Sequence, residues 1–98
     1  MTGPAGAGIA IRVVIDGRVQ GVGFRYWTKG EARRRGLDGW VRNRTDGTVE
    51  ALFAGPSGAV HEMVEACRQG PPLARVTAVR TFPADPPAGA GFVSLPTI

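Results

Sequence analysis

Hydrophobic and polar positions alternate near the start of the chain, and this alternation predicts a first β-strand over residues 9–16. Ile11, Val13 and Ile15 fall on one side of it, and all three are β-branched. The strand pattern ends at Gly17. Residues 1–8 are uncharged and mostly small, so we expect a flexible arm there, followed by a single domain over residues 9–98.

Two later stretches have the period of an amphipathic helix. Residues 24–35 carry apolar or small side chains at helical spacing and end before Gly36, a C-terminal cap. The second helix follows Ser57, which we interpret as its N-cap, and stops at Gly70. Its apolar positions lie at i, i+3, i+4 and i+7. They are Val60, Met63, Val64 and Cys67.

The remaining pattern predicts four more strands. Residues 40–44 and 48–53 flank an Asp-Gly turn, which is a strong hairpin signal. Residues 75–82 and 92–95 complete the set, with a Pro/Gly loop between them. The order is βαββαβ plus a short strand, which predicts an α+β, ferredoxin-like sandwich: an antiparallel sheet with both helices on one face.

Composition adds little to this picture. No apolar stretch is long enough to span a membrane, and no secretory signal is visible at the start, so we expect a cytoplasmic protein. The formal net charge is +4, and eleven of the twelve basic residues are Arg, which suits an anionic partner but also suits a GC-rich coding sequence. We expect Cys67 in the core, and His61 on the surface. The run Arg33-Arg34-Arg35 near a helix end is interpreted as a solvated face. Trp27 and Trp40 are interpreted as packing residues, and strand parity places Trp40 on the face opposite Asn43.

Candidate chemistry begins at the glycine-rich segment 17–23. Running from a strand into a helix N-terminus, it gathers unpaired N–H donors where the helix dipole also favours an anion. Arg25 lies in the first helical turn, where a cation opposes that dipole unless an anion is bound. A second interpretation stays open, in which Arg25 extends into solvent and the loop only connects.

Asn43 is the second candidate. By strand alternation it shares a face with Val41, so if Val41 points to the core, the Asn43 amide faces the loop. Spacing alone favours a different interpretation, in which Asn43 is a satisfied polar residue that prepares the turn and has no catalytic role.

Three motifs in order resolve this ambiguity by resemblance. Residues 17–25 read GRVQGVGFR, residues 39–43 read GWVRN and residues 46–50 read DGTVE. With GP at 55–56 and GPPLARV at 70–76, the chain resembles the acylphosphatase family over nearly all of its length after Ile9. It departs from that pattern at Arg44, where some relatives carry a small hydroxyl residue, and at its non-aromatic end.

The resemblance implies a hydrolase that cleaves the carboxyl–phosphate bond of acyl phosphates. It implies that Arg25 and Asn43 are catalytic, Asn43 by positioning the attacking water. The phosphate is held by what we call the phosphate loop, which consists of Gln20, Gly21, Val22, Gly23, Phe24 and Arg25. The ligands of such a hydrolase would be small acyl phosphates and inorganic phosphate. The sequence has no His, Cys or carboxylate cluster at metal-ligand spacing and no Walker-type loop, so we expect no metal and no cofactor. We also expect a monomer.

Two other functions share parts of this pattern. A non-catalytic phosphate-binding module would use the same loop and Arg25, but it would not need Asn43. A single-stranded RNA-binding domain has the same element order and a basic charge. However, such domains expose aromatic side chains on their sheet, and the strands expected at its centre, 9–16 and 48–53, offer only Phe53. We therefore expect no nucleic-acid partner.

Overall fold

The computed structural model describes residues 8–98, and its element order confirms the predicted one. The elements are β1 (Gly8–Arg18), α1 (Phe24–Arg34), β2 (Asp38–Asn43), β3 (Val49–Pro56), α2 (Ser57–Gln69), β4 (Arg75–Pro83) and β5 (Phe92–Ser94). β1 begins at Gly8, which pairs with Pro56. The rest of the predicted arm, residues 1–7, lies outside the described residues. No described helix has the length and apolar character that a membrane span requires.

The five strands form one sheet in the order β4-β1-β3-β2-β5. β1 and β3 are central, as predicted, and the first four strands pair antiparallel. β5 differs from the prediction because it pairs parallel to β2, so the sheet is mixed. The reason is geometric: β5 runs opposite to β4, which gives it the direction of β1 and β2, and the chain places it beside β2.

The core lies between the sheet and the two helices. Inward side chains of β1, β2 and β3 are fully buried there together with residues of both helices. Phe53 and Phe92 stack at a centroid distance of 5.6 Å, which fastens the short β5 to the centre of the sheet. Cys67 is buried as predicted, and burial raises the pKa of its thiol to about 12.

The opposite face of the sheet carries a network of paired charges. Glu50 is 6% exposed and accepts a bond from Arg12 at 3.0 Å and one from Arg42 at 2.8 Å. The same two guanidinium groups lie over aromatic rings, Arg12 over Phe82 and Arg42 over Trp40. Trp40 therefore packs on the face opposite Asn43, as its parity predicted.

Two local predictions need correction. Ser57 is the first residue of α2 and not its N-cap; the N-cap is Pro56, whose ψ of 138° is non-helical. The run Arg33-Arg34-Arg35 was interpreted as a solvated face, which holds only in part: Arg33 and Arg34 are exposed, but Arg35 is half-buried and bonds Glu31 at 2.7 Å. Arg33 donates to the Phe92 carbonyl at 3.1 Å, which ties α1 to β5. Bonds from Arg35 and Arg34 lower the pKa of the Glu31 carboxyl.

Candidate active site

The loop between β1 and α1 depends on two glycines with left-handed backbone. Gly21 has φ 74° and Gly23 has φ 78°, conformations that residues with a Cβ adopt at a cost. Gly23 is also the N-cap of α1, with no side chain bonded to the helix start. The first intrahelical bond is made by the Trp27 amide to the Gly23 carbonyl at 3.0 Å. The amides before it are therefore free of helical partners and available to a ligand.

A cleft of about 370 Å³ opens beside this loop and brings the predicted site residues together. It is lined by Val19, Gln20, Gly21, Gly23, Phe24, Arg25, Tyr26, Lys29, Asn43 and Ser94. Arg25 and Asn43 thus share one cavity with the phosphate loop. Val22 is the exception among the predicted loop residues: it does not line the cleft, and its side chain packs against the core.

Asn43 reaches the cleft from the end of β2, because Val41 points into the core and Asn43 follows it on the same face. The chain beyond β5 extends along this strand end. The Ile98 amide donates to the Asn43 carbonyl at 3.2 Å, and the Thr45 amide donates to the Ile98 carbonyl at 2.8 Å. The backbone on both sides of the Asn43 side chain is therefore fixed.

The cleft is electropositive. α1 has no acidic residue in its first turn, and its N-terminal dipole points at the cleft. Across residues 8–98, the ion pairs do not include Arg25 or Lys29. Two uncompensated cations and a helix N-terminus favour a ligand with more than one negative charge.

The turn of the β2–β3 hairpin begins directly after Asn43. Asp46 accepts bonds from the Thr48 amide at 3.0 Å and the Thr48 hydroxyl at 2.6 Å, and these bonds lower the pKa of its carboxyl. The turn itself is closed by the Gly47 amide, which donates to the Arg44 carbonyl at 3.1 Å. Gln20 joins the loop to this hairpin: its Nε2 donates to the carbonyls of Arg44 at 2.7 Å and Thr48 at 2.8 Å.

Sequence reasoning missed three residues of the cleft that carry polar groups: Tyr26, Lys29 and Ser94. Lys29 lies one helical turn after Arg25, and that i, i+4 spacing could have indicated it. Ser94 had no such signal, because it reaches the cleft only through the parallel pairing of β5 with Val41 of β2. Within residues 8–98, no group of three His, Cys, Asp or Glu side chains is arranged to hold a metal ion.

These features define a ferredoxin-like α+β protein with an electropositive cleft at the start of its first helix. A model of the acylphosphatase family matches residues 11–93. The chain is 60% identical over 90 residues to the acylphosphatase of Acidiphilium cryptum, an alignment that covers 91% of this chain and 98% of that protein. This chain belongs to the acylphosphatase family. It is a hydrolase that acts on small-molecule acyl phosphates.

Solved structures agree with this assignment. The crystal structure of acylphosphatase from Bacillus subtilis superposes with a TM-score of 0.84 at 43% identity, covering 89% of this chain and 98% of that one. The structure of an acylphosphatase from Coxiella burnetii gives a TM-score of 0.89 at 30% identity, covering 97% of this chain and all of that one. The predicted fold class is therefore confirmed.

Proposed function

We propose that the cleft holds the phosphoryl group of an acyl phosphate and that water attacks it directly. The phosphate loop amides and the Arg25 guanidinium bind the phosphoryl oxygens, and the Asn43 side-chain carbonyl orients the water. The observation that carries this proposal is the shared cleft: Arg25, Asn43 and the loop glycines come from separate segments yet line one cavity.

The chemistry needs no further group. The water oxygen forms a bond to phosphorus while the bond from phosphorus to the carboxyl oxygen breaks, and the electron pair leaves with the carboxylate. A carboxylate is stable without a proton, so no general acid is required, and both hydrogens of the water leave with inorganic phosphate as H₂PO₄⁻. Positioning and charge stabilisation then supply the catalysis, with neither a phosphoenzyme nor a metal ion.

The test is hydrolysis of benzoyl phosphate in the presence of EDTA. We expect rapid turnover by the wild type and a loss of roughly 100-fold or more in kcat/KM for both Arg25→Ala and Asn43→Ala, the scale seen when one transition-state contact is removed. Arg68→Ala is the matched control, since Arg68 is exposed on α2 and pairs only with Glu65 among described residues. Circular dichroism verifies that each variant folds.

The other outcomes distinguish the alternatives. If Arg25→Ala loses activity but Asn43→Ala does not, Asn43 is a turn residue and the water is positioned elsewhere. If the folded wild type binds phosphate without turnover, the chain is a phosphate-binding module.

We also propose a cytoplasmic monomer. A complete set of cleft residues from one chain supports the monomer, and a single unpaired cysteine is typical of reducing compartments. Sedimentation at the concentration used for assays tests the oligomeric state.

A further inference from the structure

The side chain of Gln20 makes a connection that the role of its loop does not require. Its Nε2 donates two bonds, at 2.7 Å to the Arg44 carbonyl and at 2.8 Å to the Thr48 carbonyl. Both partners are acceptors, so the nitrogen must face them, and both amide hydrogens are used. The side chain is therefore held in one orientation.

The two carbonyls lie in the hairpin between the end of β2 and the start of β3. Arg44 directly follows Asn43, and the Arg44 amide donates to the Thr48 carbonyl at 2.9 Å in the first pair beyond β2. Gln20 is thus hydrogen-bonded to the hairpin at the point where β2 ends. It joins the phosphate loop, which binds the phosphoryl group, to the strand end that carries Asn43.

We propose that Gln20 is a positioning residue that sets the distance between the bound phosphorus and the water held by Asn43. This inference rests on the proposed roles of the loop and Asn43. Without the Gln20 bonds, the loop keeps its glycine conformations and Val19 stays buried in the core, so the phosphate site persists. What is lost is the direct bond between the two halves of the site, and a misplacement on the order of 1 Å costs about 100-fold in rate.

The test replaces Gln20 by Met, which has similar length but no donor. We expect kcat for benzoyl phosphate to fall at least tenfold while the inhibition constant of inorganic phosphate changes less than threefold. Asp38→Ala is the matched control, because Asp38 accepts from the Gly91 amide at 2.7 Å and so also ties a loop to β2, at the strand's other end. Its kcat should match the wild type.

A double variant separates positioning through Asn43 from a general structural effect. If Gln20 acts through Asn43, Gln20→Met should lower kcat much less in an Asn43→Ala background than in the wild type. Full additivity would overturn the proposal, as would a lowered unfolding temperature with unchanged kcat. A parallel rise in the phosphate inhibition constant would also overturn it, because Gln20 would then shape the phosphate site itself.

A second variant and a comparison with Asn43→Ala make the result interpretable in every case. Should Gln20→Met fail to fold, Gln20→Glu keeps the shape of the side chain and replaces its donor by a second acceptor facing two carbonyls; the same loss in kcat is expected. If Asn43→Ala retains wild-type activity, the proposed function fails. If Asn43→Ala is inactive and Gln20→Met is not, only the Gln20 proposal fails.

Discussion

Arg25 lies at a position where its charge destabilises the ligand-free protein. It is exposed in the first turn of α1, where its charge opposes the helix dipole, and the described part of the chain gives it no carboxylate partner. Such a position costs a few tenths of a kcal/mol in stability. It is instead suited to a bound anion.

We therefore expect Arg25→Ala to unfold at an equal or slightly higher temperature than the wild type in the absence of phosphate. Added phosphate at 100 times its dissociation constant should stabilise the wild type by about 2.7 kcal/mol. The variant should lose most of that gain. Thermal unfolding in phosphate and in chloride of equal ionic strength measures both effects, and an undiminished phosphate response in the variant would mean that Arg25 does not bind the anion.

The sequence predicted the placement of some site residues but not the contacts of others. Val41 fixed the face of Asn43 through strand alternation, and its burial bears this out. The roles of Arg25 and Asn43 came from family motifs, because spacing alone left them open. The Gln20 contacts could not be predicted, since its partners lie in a hairpin that reaches the loop only after the sheet assembles.

At the scale of elements, the hairpin beside Asn43 depends on the charge of Asp46. The Thr48 bonds hold the pKa of Asp46 below its ordinary value of 3.8. A carboxyl with a lower pKa in the folded state stabilises the protein fully above that ordinary value. The contribution is lost as pH falls through the lower, folded-state pKa.

We expect Asp46→Asn to be less stable than the wild type at pH 6, with a difference that shrinks as pH falls below about 3.8. Urea unfolding between pH 6 and pH 2 measures it. Asp85→Asn is the control, because Asp85 is exposed in the loop before β5 and has no ion pair among residues 8–98. A difference between wild type and Asp46→Asn that stays constant with pH would contradict the prediction.

Element types were predictable where a single period dominated, as in α2 and the β2–β3 hairpin. The ends of the elements were less predictable. The N-cap of α2 is Pro56, whose backbone is non-helical, whereas Ser57, predicted for that position, is the first helical residue. The parallel pairing of β5 could not be predicted. A strand of three residues does not reveal from its sequence which strand it pairs with or in which direction, and its position depends on the path of the preceding loop.

For the whole molecule, the net positive charge is a poor guide to nucleic-acid binding, because arginines on the sheet are paired with carboxylates. The outer face of the sheet has several arginines, but Glu50 binds two of them, and Asp16 binds Arg80 at 2.9 Å. Phe53, the one aromatic residue predicted on the central strands, is buried on the helical side. The rings of Trp40 and Phe82 are covered by guanidinium groups.

The protein should accordingly bind single-stranded oligonucleotides no better than other basic proteins, with dissociation constants no tighter than about 10⁻⁶ M at physiological salt. Fluorescence anisotropy of a labelled oligonucleotide over a salt series tests this. Tighter binding that is lost in Trp40→Ala would identify the sheet as a nucleic-acid surface.

The central position of β1 also has a consequence for biosynthesis. Its neighbours are β3 and β4, so Arg12 pairs with Leu52 on one side and with Phe82 on the other. During synthesis, β1 is made before both of its partners, so one of its edges stays unpaired until β4, which ends at Pro83, has been made. The glycines that shape the cleft are made about seventy residues before Ser94, which also lines it. The newly made chain therefore completes its cleft only after long-range pairing has brought β5 beside β2.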